Sequence, residues 1–143
     1  MALPLRLRSP APSMCHHTMK TKVLIVDDEV PLLAAMSEYL TTRGYECECA
    51  TEVAEAMALL GNIPFDAVIT DVYLSPVPQA DGFAVIAFIR ERALPLPVIV
   101  MTAHDTPQVM AEARRLAADR FLLKPIPMQR IADALSALTG ATP

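Results

Sequence analysis

The amino-acid sequence predicts an α/β fold in which five parallel strands, in the spatial order 2-1-3-4-5, form a sheet doubly wound with five helices. One observation and one packing rule carry this prediction. Short apolar runs typical of buried strands alternate with segments of helical periodicity through residues 20–139. Strands that alternate with helices imply a parallel sheet, covered on both faces and connected by right-handed crossovers.

The first strand is a short β-branched run at residues 23–26, a pattern typical of a strand buried on both faces. A helix follows, with Pro31 in its first turn, apolar residues at helical spacing and Gly44 at its end. Residues 45–49 alternate apolar with charged side chains, which indicates a half-exposed strand at an edge of the sheet.

In the sequence, the second helix precedes another buried strand and the third helix follows it. Thr51 is predicted to cap the second helix, and Gly61 is predicted to end it. Residues 67–70 form the third strand, which leads directly into Asp71. A loop follows, and residues 81–82 open the third helix.

The last two strands and helices repeat the pattern. Residues 98–101 form the fourth strand, and the fourth helix begins at residues 106–107. Residues 121–123 form the fifth strand, and Pro127 begins the last helix, which carries one apolar face.

Composition and charge limit what kind of protein this is. Apolar residues make up 53% of the 143-residue chain, enough for one sizeable core, yet no stretch reaches the ~18 apolar residues that a membrane span needs. The net charge of -4 argues against a nucleic-acid partner. An odd number of irregularly spaced cysteines predicts ordinary thiols in a reducing cytoplasm rather than disulfides or a zinc site: Cys15, Cys47 and Cys49.

The ends of the chain differ from its centre. Residues 1–19 are rich in proline and have no periodic pattern, so they predict a disordered N-terminal tail. Residues 20–139 form the single predicted domain, and residues 140–143 form a short C-terminal tail. Neither tail leaves room for an output module, so the chain is expected to act through another protein.

Polar residues follow four of the five predicted strands at the point where each strand ends. Asp27 and Asp28 follow the first strand, Asp71 the third, Thr102 the fourth and Lys124 the fifth. The carboxyl ends of parallel strands meet at one edge, where open α/β sheets bind ligands beside the point at which the strand order reverses. These side chains are therefore expected to share one crevice.

Three carboxylates in one crevice repel one another, since two unit charges 4 Å apart interact by about 4 kcal/mol at an effective dielectric constant of 20. A hard divalent cation relieves that repulsion, and Mg²⁺ suits a few carboxylates with waters and phosphate. Asp71 could then act as a nucleophile that forms an acyl phosphate, with Thr102 and Lys124 holding the phosphoryl oxygens.

The chain resembles the receiver domain of two-component response regulators, which has a flavodoxin-like fold. The resemblance covers about residues 20–139, and each matching motif stands at the end of a predicted strand or the start of a helix. The motifs are Asp27-Asp28-Glu29, Thr70-Asp71, Asp81-Gly82, Thr102-Ala103 and Lys124-Pro125.

The resemblance implies a phosphorylation-activated signalling switch rather than a metabolic enzyme. A histidine kinase or histidine phosphotransfer protein would supply the phosphoryl group to Asp71. Asp28 would bind Mg²⁺ directly, Asp27 would help through water or a hydrogen bond, and the backbone carbonyl of Tyr73 would complete the protein ligands. Thr102 and Lys124 would hold the phosphoryl group.

The resemblance also implies how the switch is read. Thr102 and Phe121 would be the switch residues, and the surface of helix 4, strand 5 and helix 5 would contact a downstream protein target. Tyr73 and His104 would tune the lifetime of the acyl phosphate by obstructing water. The protein is expected to be a monomer or weak dimer.

Three features depart from the family pattern. The loop over residues 72–80 is longer than usual and holds two prolines, Pro76 and Pro78. Ala117 replaces a glycine often found before strand 5, so the preceding helix is expected to end in another way. Phe121 replaces the commoner tyrosine, which removes any hydrogen bond from that ring.

Rival functions remain at this point. A receiver-like adaptor that docks without phosphorylation is the closest alternative. A Mg²⁺-dependent aspartyl-phosphate phosphohydrolase would need an Asp-x-Asp motif after its first strand, and residues 27–29 do not supply one. A nucleotide-binding domain would need a glycine-rich loop at the same place, where this chain has acidic residues.

Overall fold

The computed structural model describes residues 20–74 and 81–141. Its sheet contains five parallel strands in the order β2-β1-β3-β4-β5, which confirms the predicted topology. The predicted tail at residues 1–19, the prolines at 76 and 78 and the last two residues lie outside the described residues. The strands are β1 (Lys22–Val26), β2 (Glu46–Ala50), β3 (Ala67–Asp71), β4 (Val98–Thr102) and β5 (Arg120–Leu123).

Five helices connect and follow these strands: α1 (Val30–Thr42), α2 (Val53–Asn62), α3 (Gly82–Glu91), α4 (Pro107–Arg115) and α5 (Met128–Thr139). Two predicted helix boundaries are wrong. Glu52 rather than Thr51 is the N-cap of α2, and the Thr51 backbone N–H instead donates to the Glu55 carboxylate. Gly61 lies inside α2, which runs on to Asn62 because the helix can tolerate a glycine in its last turn.

Successive side chains of the central strands point to opposite faces of the sheet, so that an apolar layer forms on each face. In β1, Leu24 and Val26 face α2, α3 and α4, whereas Val23 and Ile25 face α1 and α5. The strands β3 and β4 are buried along their whole length, as expected for parallel strands covered on both faces. No helix within residues 20–74 and 81–141 is both long and apolar enough to cross a membrane.

The edge strand β2 carries the two described cysteines on the face toward α1. Cys47 and Cys49 are half-buried, and both thiols contact the Ser37 hydroxyl. Burial raises the pKa of Cys47 to about 11, and the neighbouring thiol of Cys49 contributes to the rise. Neither is therefore a reactive thiolate near neutral pH, in keeping with the expectation of ordinary thiols.

The turn between α4 and β5 is stabilised by a side chain from α3. Ala117 adopts a left-handed conformation with φ of 58°. The helix therefore ends as it would before glycine, and the expectation of another ending is wrong. The Arg90 guanidinium stabilises the turn by donating to the carbonyls of Leu116 at 3.1 Å and Ala117 at 2.8 Å, and also to that of Leu96.

Replacing Ala117 by glycine should raise the free energy of unfolding by about 0.5–1 kcal/mol. A non-glycine residue in the left-handed region costs about 1–2 kcal/mol, part of which is offset because glycine makes the unfolded chain more flexible. Urea denaturation of both proteins measures the difference. Ala118→Gly is the matched control, because Ala118 has no positive φ and its replacement should destabilise. Equal losses in the two variants would contradict the prediction.

Candidate functional site

Side chains from three strand ends meet at the carboxyl edge of the sheet. The ammonium Nζ of Lys124 lies 2.8 Å from Oδ2 of Asp27 and 2.7 Å from Oδ2 of Asp71. It also lies 3.1 Å from Oε2 of Glu29. The structure thus brings together the ends of β1, β3 and β5, and Lys124 is the cation that joins them.

Burial and ion pairing compete at this cluster. Asp27 is fully buried and Asp71 is 6% exposed. Burial raises the pKa of the Asp71 carboxyl, and the hydrogen bond from Lys124 offsets only part of that rise. Burial likewise disfavours the charged form of Lys124, but hydrogen bonds to Asp27 and Asp71 outweigh it and raise the pKa of the lysine. The lysine therefore stays charged while the carboxylates still carry a desolvation cost.

Four carboxylates of the cluster are close enough to share one cation. Asp27, Asp28, Glu29 and Asp71 each present an oxygen, and these oxygens all lie within 4.8 Å of one another. Asp28 and Glu29 are exposed, so water can complete a coordination shell. Oxygen donors with several waters are the ligands that Mg²⁺ prefers, and the residues present therefore fit Mg²⁺.

Glu29 is a member of this cluster that the sequence interpretation did not assign. Its signal was present, because Glu29 is the third acidic residue in the run after β1. Its side chain points back to Lys124 because Glu29 stands at the N-cap of α1 and its backbone N–H donates to Asp27 Oδ1 at 2.8 Å.

Thr102 lies at the end of β4, the strand next to the one that ends at Asp71. In the register of β3 and β4, Asp71 pairs with Met101, the residue before Thr102. Thr102 is fully buried, and its hydroxyl accepts a hydrogen bond from the His104 backbone N–H at 3.0 Å. The Lys124 backbone N–H donates to the Thr102 carbonyl at 2.8 Å, so the ends of β4 and β5 are tied together.

The two residues predicted to tune lifetime, Tyr73 and His104, contact each other beside Asp71. The rings of Tyr73 and His104 pack edge to face, with centroids 4.9 Å apart and an interplanar angle of 78°. The Tyr73 backbone N–H lies 3.3 Å from Oδ1 of Asp71 and donates to it. The loops after β3 and β4 are therefore joined by an aromatic pair next to the carboxylate.

Helix α3 is anchored directly on the backbone at the end of β3, at Asp71 and Val72. The Gly82 N–H donates to the Val72 carbonyl at 2.8 Å, and Oδ1 of Asp81 accepts from the Leu74 N–H at 3.0 Å. A Cβ atom at Gly82 would stand only 1.9 Å from the Asp71 carbonyl oxygen. Glycine is required here because two backbone segments approach too closely for any side chain.

Phe121 and Leu123 occupy one face of β5. Phe121 is half-buried and packs against the apolar layer under α2, α3 and α4. Leu123 is 49% exposed at the end of the strand. The Lys124–Pro125 peptide bond that follows is cis. The switching role of Phe121 stays a prediction.

An apolar cavity of about 420 Å³ adjoins the acidic cluster. Glu29 and Lys124 lie at its polar side, and its apolar lining comes from α1, the end of β4 and the residue after it, the segment between β5 and α5, and α5 itself. The apolar lining residues are Leu32, Met36, Met101, Ala103, Pro125, Ile126 and Ile131.

The chain is thus an α/β domain with a doubly wound parallel sheet, and an acidic cluster and a half-buried lysine lie at the edge where such sheets bind ligands. The chain belongs to the response regulator receiver domain family, whose model matches residues 23–136. Receiver domains are signalling modules of two-component systems rather than enzymes in the ordinary sense. Response regulators interact with histidine kinases and with downstream targets.

Individual relatives agree with this assignment. Response regulator MprA of Mycobacterium sp. (strain KMS) is 31% identical over 124 residues, which is 87% of this chain and 53% of that protein. Chemotaxis protein CheY4 of Vibrio cholerae is 29% identical with a TM-score of 0.75, over 84% of this chain and 99% of that chain. The chain thus spans about half the length of the curated relative and nearly all of the solved one.

One further solved structure shows the same fold. Response regulator protein TrrA of Thermotoga maritima, in complex with Mg²⁺-BeF, is 24% identical with a TM-score of 0.72. The match covers 82% of this chain and 98% of that chain.

Proposed function

We propose that this receiver domain accepts a phosphoryl group on Asp71, with Mg²⁺ bound by the acidic cluster, and thereby switches a surface that another protein reads. The phosphodonor is a histidine kinase or a histidine phosphotransfer protein. The observation that carries the proposal is the 2.7 Å contact between Lys124 and Asp71 inside a cluster of four carboxylates. Replacing a buried ion pair by well-packed apolar residues is often neutral or stabilising, so stability alone is a weak reason for such a cluster.

The chemistry of the transfer follows from the positions of these side chains. A carboxylate oxygen of Asp71 attacks phosphorus, the new O–P bond forms, and the bond from phosphorus to the donor imidazole nitrogen breaks. The imidazole leaves with its bonding electron pair, and Lys124 donates an N–H to a phosphoryl oxygen. A cation bound by the acidic cluster would neutralise charge between the two anions. The buried position of Asp71 limits water near the product acyl phosphate.

The contacts of Asp27 support an indirect role toward the metal. Oδ1 of Asp27 accepts from the Glu29 N–H, and Oδ2 accepts from Lys124. Asp28 is exposed and free to coordinate directly, together with Asp71 and the backbone carbonyl of Tyr73. We assign the direct ligands on this basis.

The proposed switch passes from the phosphoryl group to the β5 edge. Thr102 would turn its hydroxyl from the His104 N–H toward a phosphoryl oxygen, and Phe121 would follow on the next strand. The exposed Leu123 then belongs to the signalling surface formed by α4, β5 and α5. Phosphorylation acts in this way as a local charge change that biases a two-state element.

The ring contact between Tyr73 and His104 supports their proposed effect on lifetime. An edge-to-face pair next to Asp71 excludes volume from the path that an attacking water must take.

Because the chain belongs to the receiver domain family, we also place the protein in the cytoplasm, as a monomer or weak dimer.

Incubation with acetyl phosphate and Mg²⁺, followed by intact mass spectrometry, tests the proposal. The wild-type chain should gain one phosphoryl group, and Asp71→Asn should gain none. Asp105→Asn is the control, because Asp105 is exposed in the loop after β4 and should leave the gain unchanged. A chelator should abolish the modification. A wild-type chain that gains no phosphoryl group would favour the adaptor that docks without phosphorylation.

A further inference from the structure

We propose that Glu29 is a positioning residue that holds an N–H of Lys124 until a cation draws its carboxylate away. The inference rests on the proposed function, because it concerns how that same site binds its two ligands. It begins from the contact of 3.1 Å between Oε2 of Glu29 and Nζ of Lys124.

The donors of Lys124 are all in use. An ammonium group carries three N–H donors and no acceptor. Three carboxylates accept them, since Asp27 lies at 2.8 Å, Asp71 at 2.7 Å and Glu29 at 3.1 Å. No N–H of Lys124 is therefore left for an incoming phosphoryl oxygen until one of these three partners moves.

Glu29 is the partner that can leave most easily. The side chain of Asp27 is fully buried, that of Asp71 is 8% exposed and that of Glu29 is 61% exposed. A carboxylate that leaves Lys124 must be solvated elsewhere, and only an exposed one meets water directly. Glu29 also makes the longest of the three contacts, so it is the contact that opens.

A bound cation would attract the Glu29 carboxylate away from Lys124. Oxygens of Glu29, Asp28, Asp27 and Asp71 lie within 4.8 Å of one another, so a divalent ion among them attracts all four carboxylates. When Glu29 turns toward the ion or its bound waters, one N–H of Lys124 becomes free. A phosphodonor that arrives before the cation meets four carboxylates and one fully engaged ammonium.

The charge of Glu29 should therefore act in opposite directions on the two ligands. It attracts a divalent cation, and it opposes an anionic phosphoryl group both by repulsion and by competing for Lys124. A unit charge about 5 Å from a divalent ion, screened by water and salt, changes affinity by about fivefold. Glu29→Gln should weaken Mg²⁺ binding by that factor and should strengthen the binding of a phosphoryl mimic.

Calorimetric titration of the full chain tests the inference. Mg²⁺ is titrated into wild type, Glu29→Gln and Glu38→Gln, and inorganic phosphate is titrated separately into the same three proteins without metal. Glu38 is exposed on α1, so its variant carries the same change in net charge. We expect a higher Kd for Mg²⁺ and a lower Kd for phosphate in Glu29→Gln, with both constants unchanged in Glu38→Gln.

The outcomes separate this inference from the proposed function. If Glu29→Gln leaves both constants unchanged, or moves both in the same direction, the inference is overturned while Mg²⁺ binding by the wild type still stands. If Glu38→Gln shifts them equally, the effect belongs to net charge and the inference is also overturned. If wild type binds no Mg²⁺, the proposed function fails together with it.

Discussion

Replacing Gly82 by alanine should abolish phosphorylation of Asp71 and lower the free energy of unfolding by about 3 kcal/mol. The added Cβ would stand 1.9 Å from the Asp71 carbonyl oxygen and 2.9 Å from both the Asp71 carbonyl carbon and Val72 Cα. All three atoms are backbone atoms, so no side-chain rotation relieves the overlap. Overpacking of this kind costs about 1–3 kcal/mol or more, and here the strain falls on Asp71, the residue that we propose attacks phosphorus.

Phosphorylation by acetyl phosphate and urea denaturation measure the two effects separately. Gly61→Ala is the matched control, because no atom lies within 4 Å of a Cβ built at Gly61 inside α2. That variant should be phosphorylated like the wild type and should be up to about 1 kcal/mol more stable, since alanine favours a helix over glycine. A Gly82→Ala protein that is phosphorylated at the wild-type rate would contradict the prediction.

The close approach of Gly82 to the backbone at the end of β3 could not be predicted from the sequence. The sequence indicated that residues 81–82 open α3, and the structure agrees. It gave no sign that the Gly82 N–H bonds to the Val72 carbonyl, or that Asp81 binds the Leu74 N–H. These contacts depend on how the helix approaches the strand, and a single sequence contains the residue types but not the distance.

The sheet and the residues at its carboxyl edge were predictable because a small number of local rules determine them. Buried β-branched runs mark the strands, and alternation with helices fixes their parallel direction. Once the strands are parallel, residues that follow them must lie at one edge, which brings Asp71 and Lys124 together. The acidic run after β1 offered three candidates, and the pattern alone did not assign Glu29 to the cluster.

The turns were less predictable because contacts distant in sequence determine them. Ala117 accepts a left-handed conformation where the sequence suggested another helix ending. Arg90, 27 residues earlier, stabilises that turn through the Ala117 carbonyl. Thr51 was predicted as a cap by residue type, but Glu52 takes that position and Thr51 donates its backbone N–H to Glu55 instead.

Replacing Lys124 by methionine should destabilise the protein by about 3–5 kcal/mol at neutral pH in the absence of metal. Removing one partner of a buried ion pair costs this much, because the remaining charges stay buried without compensation. The side chains of Asp27 and Asp71 are 0% and 8% exposed, and both would lose their cation. The effect is large for a domain whose total stability is about 5–15 kcal/mol.

Urea denaturation with a chelator present measures this loss. Lys22→Met is the matched control, since Lys22 pairs with the half-exposed Glu46 at 3.4 Å and its removal should cost no more than about 1 kcal/mol. Added Mg²⁺ should restore more stability to Lys124→Met than to the control, because the ion neutralises the carboxylates that Lys124 neutralises in the wild type. Similar losses in the two variants would show that the cluster does not depend on Lys124.

The dependence on pH distinguishes an electrostatic loss from a packing loss. Burial already raises the pKa of Asp71 above its ordinary 3.8, and Lys124 works against that rise, so the folded-state pKa climbs further once the ammonium is gone. A carboxyl whose pKa is raised by folding does not affect stability below its unfolded pKa; its destabilising effect grows as pH rises above that value and is complete above the folded pKa. The stability difference between wild type and Lys124→Met should therefore be small near about pH 4 and large near about pH 7. A difference that is the same at both values would mean that the methionine packs badly and that charge at the rim has little to do with it.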